Sequence, residues 1–452
     1  MGIDILFILA TALFAGLLLS RLAKLCKLPA VTAYLIAGVL IGPFCLGAFG
    51  VQGLGFTHSD IDTERFKIIS DVALGFIAFS IGNEFRMKDL KQFGKQATII
   101  GIVQAVFTTI VVDIALIALH FIMPNKFPLE AAIILGAVAS ATAPAATLMV
   151  VKQYKAHGPV TKTLLPVVAL DDAVGLVLFA ISFGVAKSIG SVGATNPWQV
   201  IISVAVEPIL EVVLSLLLGA LVGFVFTFIE RFFHSRSKRL AVSVGFVLLT
   251  VAISMIKFPI HFTEDVSLHV GFSSLLACMM LGTIFCNICD FSAELMDRLD
   301  RWTAPIYVLF FVISGAELNL GVFNVFKPGN WVFIVIGIVY IIFRCVGKYF
   351  GARTSATISK AEPNVKKFLG ITLFPQAGVA LGMANIVSSS NAFANDTPLI
   401  VLNIILFSVL IYEIVGPFLT KISLEKAGEI DKTKKVSNRI KHHDKTVPTT
   451  KI

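Results

Sequence analysis

The chain has 452 residues, of which 56% are hydrophobic and 14% charged, with a formal net charge of +9 and a mean hydropathy of +0.88. A soluble domain of this size would carry about a quarter charged residues. The composition therefore excludes an ordinary water-soluble globule and indicates a polytopic membrane protein. No nucleophile–base set and no His/Cys cluster is evident, so neither an enzyme nor a cofactor is expected.

A membrane-crossing helix needs roughly 20 mostly apolar residues. In chain order, such spans are expected at 3–20, 29–46, 68–83, 97–121, 129–151, 163–186, 200–229, 240–256, 266–287, 303–323, 331–352, 368–387 and 398–419. The expected fold class is all-α, with about thirteen transmembrane helices. The first run is not read as a signal peptide. Only Asp4 is charged before it, and Arg21, Lys24 and Lys27 follow it, the reverse of secretory polarity.

Basic residues alternate from loop to loop. One set of loops holds 21, counting Lys348 near the end of its span, and the polar tail at 421–452 adds nine. The other set holds six: Arg65, Lys67, Lys126, Lys187, Lys257 and Lys327. The positive-inside rule then puts the N-terminus outside and the tail in the cytoplasm, with the chain in the cell inner (plasma) membrane. This asymmetry accounts for most of the net charge, so no nucleic-acid partner is expected. Arg344 is the one basic residue assigned to a span interior. The Cys286-Asn-Ile-Cys289 spacing lacks the second pair or His that a zinc site needs, and it is read as apolar packing near a helix end.

The transmembrane domain at 1–420 divides into repeat one (3–186), a linker helix (200–229) and repeat two (240–419). The odd spacing inverts the second repeat relative to the first, a recurrent plan of secondary transporters. The fifth span of each repeat is interrupted. "ASATAPAAT" (139–147) contains Pro144, and "TLFPQAGVALG" (372–382) contains Pro375, Gln376 and Gly378. Paired interruptions of this kind mark a substrate site near the bilayer midplane. "VALDDAVGL" (168–176) carries Asp171 and Asp172 into span six by about 8–9 residues, roughly 12–14 Å at the helical rise. Thr142, Gln376, Arg344 and Gln104 come to about the same depth in four other spans.

A charge at the bilayer centre costs about 2.5–3.5 kcal/mol even on the gentler scales, so the acidic pair is expected in a protein-lined polar pocket. Asp172, the hydroxyls of Ser140 and Thr142, and carbonyls freed at the breaks form a hard oxygen set. Such a set suits Na⁺, K⁺ or Li⁺, with Gln376 lining the crossing. Two adjacent carboxylates resist joint ionisation, so the same groups can hold protons or a cation. Competition at one site that faces alternate sides gives antiport. Arg344 is expected to offset an acidic partner or the negative helix ends. Glu413 and Gln104 are expected as further polar support. Asp71, Asp113, Glu211 and Glu317 are expected as internal hydrogen-bond or ion-pair partners.

Several stretches resemble the sodium/hydrogen exchanger domain: "LPAVTAYLIAGVLIGPFCLG" (28–47), "DVALGFIAFSIGNEFRMKDLKQFG" (71–94), "ATAPAATLMVV" (141–151), "ALDDAVGL" (169–176), "LFFVISGAELNL" (309–320) and "FPQAGVALGMA" (374–384). They are most similar to the branch of monovalent cation:proton antiporters that includes bacterial sodium/proton antiporters and glutathione-gated potassium efflux systems. The resemblance covers about residues 3–420. It implies a homodimer, a scaffold domain and a mobile core that carries the ion by an elevator-like motion. It also implies that Asp172 is the essential carboxylate, that Asp171 is its partner, and that Arg344 is the membrane-embedded basic residue. Lys often fills that role in electrogenic relatives, so Arg344 leaves the stoichiometry open. The expected function is Na⁺/H⁺ antiport, with K⁺/H⁺ antiport as the alternative. Na⁺-coupled organic anion symport and a gated cation channel are the alternatives of another class.

Overall fold

A computed structural model describes residues 2–25, 30–49, 55–57, 66–143, 147, 150–151, 154–190, 206–233, 235–256, 258–263, 266–289, 291–323, 330–390, 392–393 and 395–430. Its helices are α1 (Gly2–Leu25), α2 (Ala30–Ile41), α3 (Lys67–Glu84), α4 (Met87–Ile122), α5 (Leu129–Val138), α6 (Pro159–Gly190) and α7 (Glu207–Glu230). They continue with α8 (Arg236–Ser254), α9 (Ser274–Ile288), α10 (Ser292–Ala316), α11 (Trp331–Ile358), α12 (Pro363–Thr372), α13 (Gly378–Ser388) and α14 (Thr397–Lys426). Among the described residues, eight helical stretches are long and apolar enough to cross a membrane, and α5, α9 and α13 are shorter apolar helices. The chain is thus an all-helical polytopic membrane protein, with one small hairpin among the described residues.

Within the described residues, each expected apolar segment falls on a helix or a broken helix, with three differences; residues 29, 144–146, 148–149 and 200–205 of the expected spans lie outside them. The segment expected as a span from residue 266 begins as a strand. Phe258–Thr263 and Val266–Val270 form an antiparallel pair, with Phe258 opposite Val270. The alternating aromatic and branched residues suit a strand, and the helix starts only at Ser274. Second, α10 extends back over charged residues expected in a loop. Arg298 pairs with Glu294 at 2.9 Å and Arg301 with Asp297 at 2.5 Å, both one helical turn apart, which supports the helix across the polar stretch. Third, the expected tail from 421 is not all tail. The helix α14 continues to Lys426 because Leu424 is buried and the Ser423 hydroxyl donates to the Phe368 carbonyl of α12 at 3.1 Å. Residues 431–452 lie outside the described residues.

Two groups of helices emerge from the packing: α1–α3 with α7–α10, and α4–α6 with α11–α14. The first is held by close backbone approach. A Cβ on Gly82 of α3 would lie 1.8 Å from the Met279 carbonyl oxygen of α9, and one on Gly282 would lie 2.2 Å from that of Phe79. Small residues substitute for hydrophobic driving force where helices meet in lipid. The chain passes between the groups three times, after α6, after α10 and first at the α3–α4 connection. There Gly94, at φ +74°, divides a short leading segment from the long apolar part of α4.

The helix carrying the acidic pair, α6, is anchored at its start by the chain's far end. Glu429 accepts from the backbone N–H groups of Val160 at 2.6 Å and Thr161 at 2.9 Å, and from the Thr161 hydroxyl at 2.7 Å. The first N–H groups of a helix have no partner within it, and a carboxylate there also complements the helix dipole. Glu429→Ala is expected to lower stability by about 1–2 kcal/mol, read as a fall in the thermal midpoint of the purified protein. An unchanged midpoint would show that the cap contributes nothing.

Candidate ion-binding site at two crossed broken helices

The helix α5 ends at Val138, and residues 141–143 are non-helical. Pro144, expected at the centre of this break, lies outside the described residues. The second break runs between Thr372, the end of α12, and Gly378, the start of α13, with Pro375 inside it. The breaks meet where the Ala143 N–H donates to the Pro375 carbonyl at 2.9 Å. Each break frees backbone groups that the helix ladder no longer satisfies, and a membrane interior leaves no water to replace them.

Arg344 of α11 meets that need. Its guanidinium donates to the carbonyls of Ala139 at 2.9 Å, Ala141 at 2.7 Å and Phe374 at 2.7 Å. It is fully buried and stacks over the Tyr412 ring at 4.5 Å, so it does not reach toward the headgroups. The fork of donors on one planar group binds both broken helices at once. A lysine has a single ammonium and cannot reach all three carbonyls. Arg344→Lys is therefore expected to leave at least one carbonyl unmet, at about 1–3 kcal/mol each. It should lower both thermal stability and exchange rate, and preservation of both would remove Arg344 from this role.

One turn further along α11, Lys348 is also fully buried. Its ammonium donates to Asp171 Oδ2 at 2.5 Å, to Thr142 Oγ1 at 2.9 Å and to the Ser140 carbonyl. This corrects two expectations. Lys348 is not a residue of the basic loops, and Arg344 is not the only cation in the interior. The basic residue on the acidic pair is Lys348, whereas Arg344 serves the backbone of the breaks. The signal in the sequence was the i, i+4 spacing in "RCVGK", which puts both cations on one helix face. The expected span end at 352 hid it, because α11 runs on to Ile358.

Asp171 and Asp172 lie on the unbroken helix α6, and both are buried. Asp171 accepts from Lys348, from the Thr142 hydroxyl and from the Gln104 amide of α4. Asp172 accepts from the Thr142 backbone N–H at 3.3 Å. The close approach of α6 is helped by Gly175, where a Cβ would lie 2.9 Å from the Ser140 hydroxyl oxygen. Two buried carboxylates thus stand with two buried cations, which lets the site exist in a low-dielectric interior.

The other expected residues are distributed differently. Thr142 and Gln104 reach Asp171. Ser140 faces Lys348 with its carbonyl, while its hydroxyl donates to the Ala137 carbonyl at 2.7 Å. Gln376 donates to the Val138 carbonyl at 2.9 Å and meets the Tyr340 hydroxyl at 3.0 Å, so it joins the two breaks. Gly378 opens α13. Glu413 is not at the breaks: its carboxylate accepts from Thr32 of α2 at 3.4 Å. Among the described residues, no group of three His, Cys, Asp or Glu side chains could hold a metal, and Cys286 and Cys289 are free thiols.

The chain is 24% identical over 373 residues to the Na(+)/H(+) antiporter NhaS4 of Synechocystis, covering 81% of this chain and 84% of that one. It is 23% identical over 420 residues to a Na(+)/H(+) antiporter of Enterococcus hirae, covering 92% and 97%. Its fold is similar to that of the sodium proton antiporter MjNhaP1 from Methanocaldococcus jannaschii, with a TM-score of 0.71 and 18% identity over 94% of this chain and 99% of the other. Residues 9–422 match the family described as sodium/hydrogen exchanger, transmembrane, and the chain belongs to that family.

Proposed function

We propose that this protein is a multi-pass plasma-membrane antiporter that exchanges Na⁺ for H⁺, with its N-terminus outside and its C-terminus in the cytoplasm. The observation that carries the reading is the buried Asp171–Lys348 pair at 2.5 Å, set beside Asp172 at the crossing of two broken helices. Asp172 is the ligand for which Na⁺ and a proton compete. The Thr142 hydroxyl and the carbonyl of Ser140 supply further oxygen ligands. A cation arriving between the carboxylates competes with the Lys348 ammonium for Asp171, so cation binding opposes the protonated state of the site. Competition of this kind makes the outward movement of one species require the inward movement of the other.

The two helix groups suggest the motion. The group with α4–α6 and α11–α14 holds every residue of the site and would move as a carrier against the group with α1–α3 and α7–α10. Exposed apolar residues on α1 and α7, such as Phe14 and Leu221, suit lipid and a second protomer in a homodimer. Proton flux in proteoliposomes, with Na⁺, K⁺ and Li⁺ offered separately at a clamped potential, tests the reading. Na⁺-driven proton flux is the expected result, and flux driven by K⁺ alone would make the exchanger a K⁺/H⁺ antiporter. Na⁺-dependent solute uptake or single-channel current without exchange would overturn it.

A further inference from the structure

Away from the crossing, a cavity of about 370 Å³ lies between the two helix groups, where α3 begins, α10 and α13 end and α14 begins. Its polar lining includes Ser70 and Asp71 of α3, Glu317 after α10, Asn385 of α13 and Asn403 of α14. Three oxygens on the residues that line it have no hydrogen-bond partner in the fold: Ser70 Oγ, Glu317 Oε2 and Asn385 Oδ1. Ser70 is only 6% exposed and Asn385 7%. The Asn385 amide nitrogen is committed, donating to the Ser314 hydroxyl at 3.0 Å, so its carbonyl oxygen is the half left for a ligand. An unmet buried polar atom costs about 1–3 kcal/mol, and three around one cavity ask for a common partner.

The donor set identifies that partner. Every candidate ligand here is oxygen, which selects a hard cation over a transition metal. Two carboxylates face one ammonium in the lining, that of Lys67, whose Nζ is held on the Ser389 carbonyl at 3.0 Å. With both carboxyls ionised, the described lining is acidic by a single charge. A Ca²⁺ site gathers six to eight oxygens, usually with more carboxylate charge, so one net charge in a roomy cavity fits a partly hydrated monovalent ion.

We propose that this cavity is a second cation site, separate from Asp171 and Asp172, which takes a partly hydrated alkali cation and bridges the two helix groups. Its walls are already tied across the seam by the Lys67 and Asn385 contacts and by the Asn319 N–H, which donates to Asn403 at 2.7 Å. A cation held by Glu317 and Ser70 on one group and Asn385 on the other reinforces those ties and resists sliding. In the proposed orientation the cavity faces outward, and high outside Na⁺ slows exchange through it. The site stands whether or not Asp172 is the transport ligand.

Equilibrium binding of radioactive Na⁺ to the purified full-length protein tests this, using wild type, Asp172→Asn, Ser70→Ala and Glu317→Ala. Wild type is expected to bind in two classes and Asp172→Asn to keep one of them. In Ser70→Ala and Glu317→Ala that class weakens by about tenfold or more, and Glu317→Ala exchange loses its slowing at high outside Na⁺. Two classes persisting in Asp172→Asn would count against the transport ligand but leave the second site standing. A Glu317→Ala isotherm that superimposes on wild type overturns the proposal, as does an Asp172→Asn protein that binds no Na⁺. Occupancy by Ca²⁺ with no Na⁺ binding overturns the alkali assignment.

Discussion

Asp172→Asn is expected to abolish Na⁺-driven proton flux in proteoliposomes while leaving a folded protein. The amide keeps the shape of the carboxylate and can still accept from the Thr142 N–H. What it loses is the negative charge that draws a bare cation into a low-dielectric pocket, and the ability to exchange that cation for a proton. A charged ligand contributes far more in such an interior than in water, so the loss should be complete rather than partial. The same variant leaves the Asp171–Lys348 pair and the Arg344 contacts to the breaks in place, because none of them runs through Asp172 Oδ1. The check is a pH-gradient assay beside a thermal-unfolding scan. Full exchange by a stable Asp172→Asn protein would remove Asp172 from the mechanism.

Lys348→Gln is expected to have the second-largest effect, on stability and on charge movement together. Removing one partner of a buried ion pair costs about 3–5 kcal/mol, because the other charge is left uncompensated. Asp171 would keep only Thr142 and Gln104. The Lys348→Gln/Asp171→Asn double variant should recover most of that loss, since neither charge then remains. The double variant also tests stoichiometry. If Na⁺ displaces one proton from Asp172 and one from Lys348, the loaded site differs by one charge between the two half-cycles. Exchange by the wild type should then respond to membrane potential. With only Asp172 titrating, the double variant should exchange one for one and ignore the potential. A wild type that is equally indifferent to the potential would rule out a proton carried by Lys348.

Much of this site was legible from residue order. Asp171 and Asp172 were conspicuous because a charge in an apolar run is costly enough to need a reason. The two breaks were visible as Pro and Gly interrupting apolar runs at matching places, and Thr142 and Gln104 followed from counting depth along helices of known rise. Lys348 was not legible in the same way. A basic residue within a few positions of a span's end reads as a headgroup contact, and the end of α11 is set by its packing against α4 and α12, not by its hydropathy. Glu429 was hidden for a related reason, since a carboxylate in a polar tail reads as solvated until the N-terminus of α6 is found beside it.

By itself, the sequence determined that the chain lives in a membrane, which segments are apolar, and which acids and breaks lie at one depth. These are one-dimensional properties, fixed by transfer free energy and helical rise. The tertiary structure alone decided which partner each buried polar group takes. Gln376 and Glu413 lie in spans that could have aimed at the acidic pair, yet one joins the breaks and the other faces Thr32. Arg344 and Lys348 are a turn apart, yet one holds carbonyls and the other a carboxylate. Which of them meets which group depends on the rotation of each helix about its own axis. That rotation is set by small residues such as Gly175 and Gly82 at long-range contacts, and no local pattern encodes it.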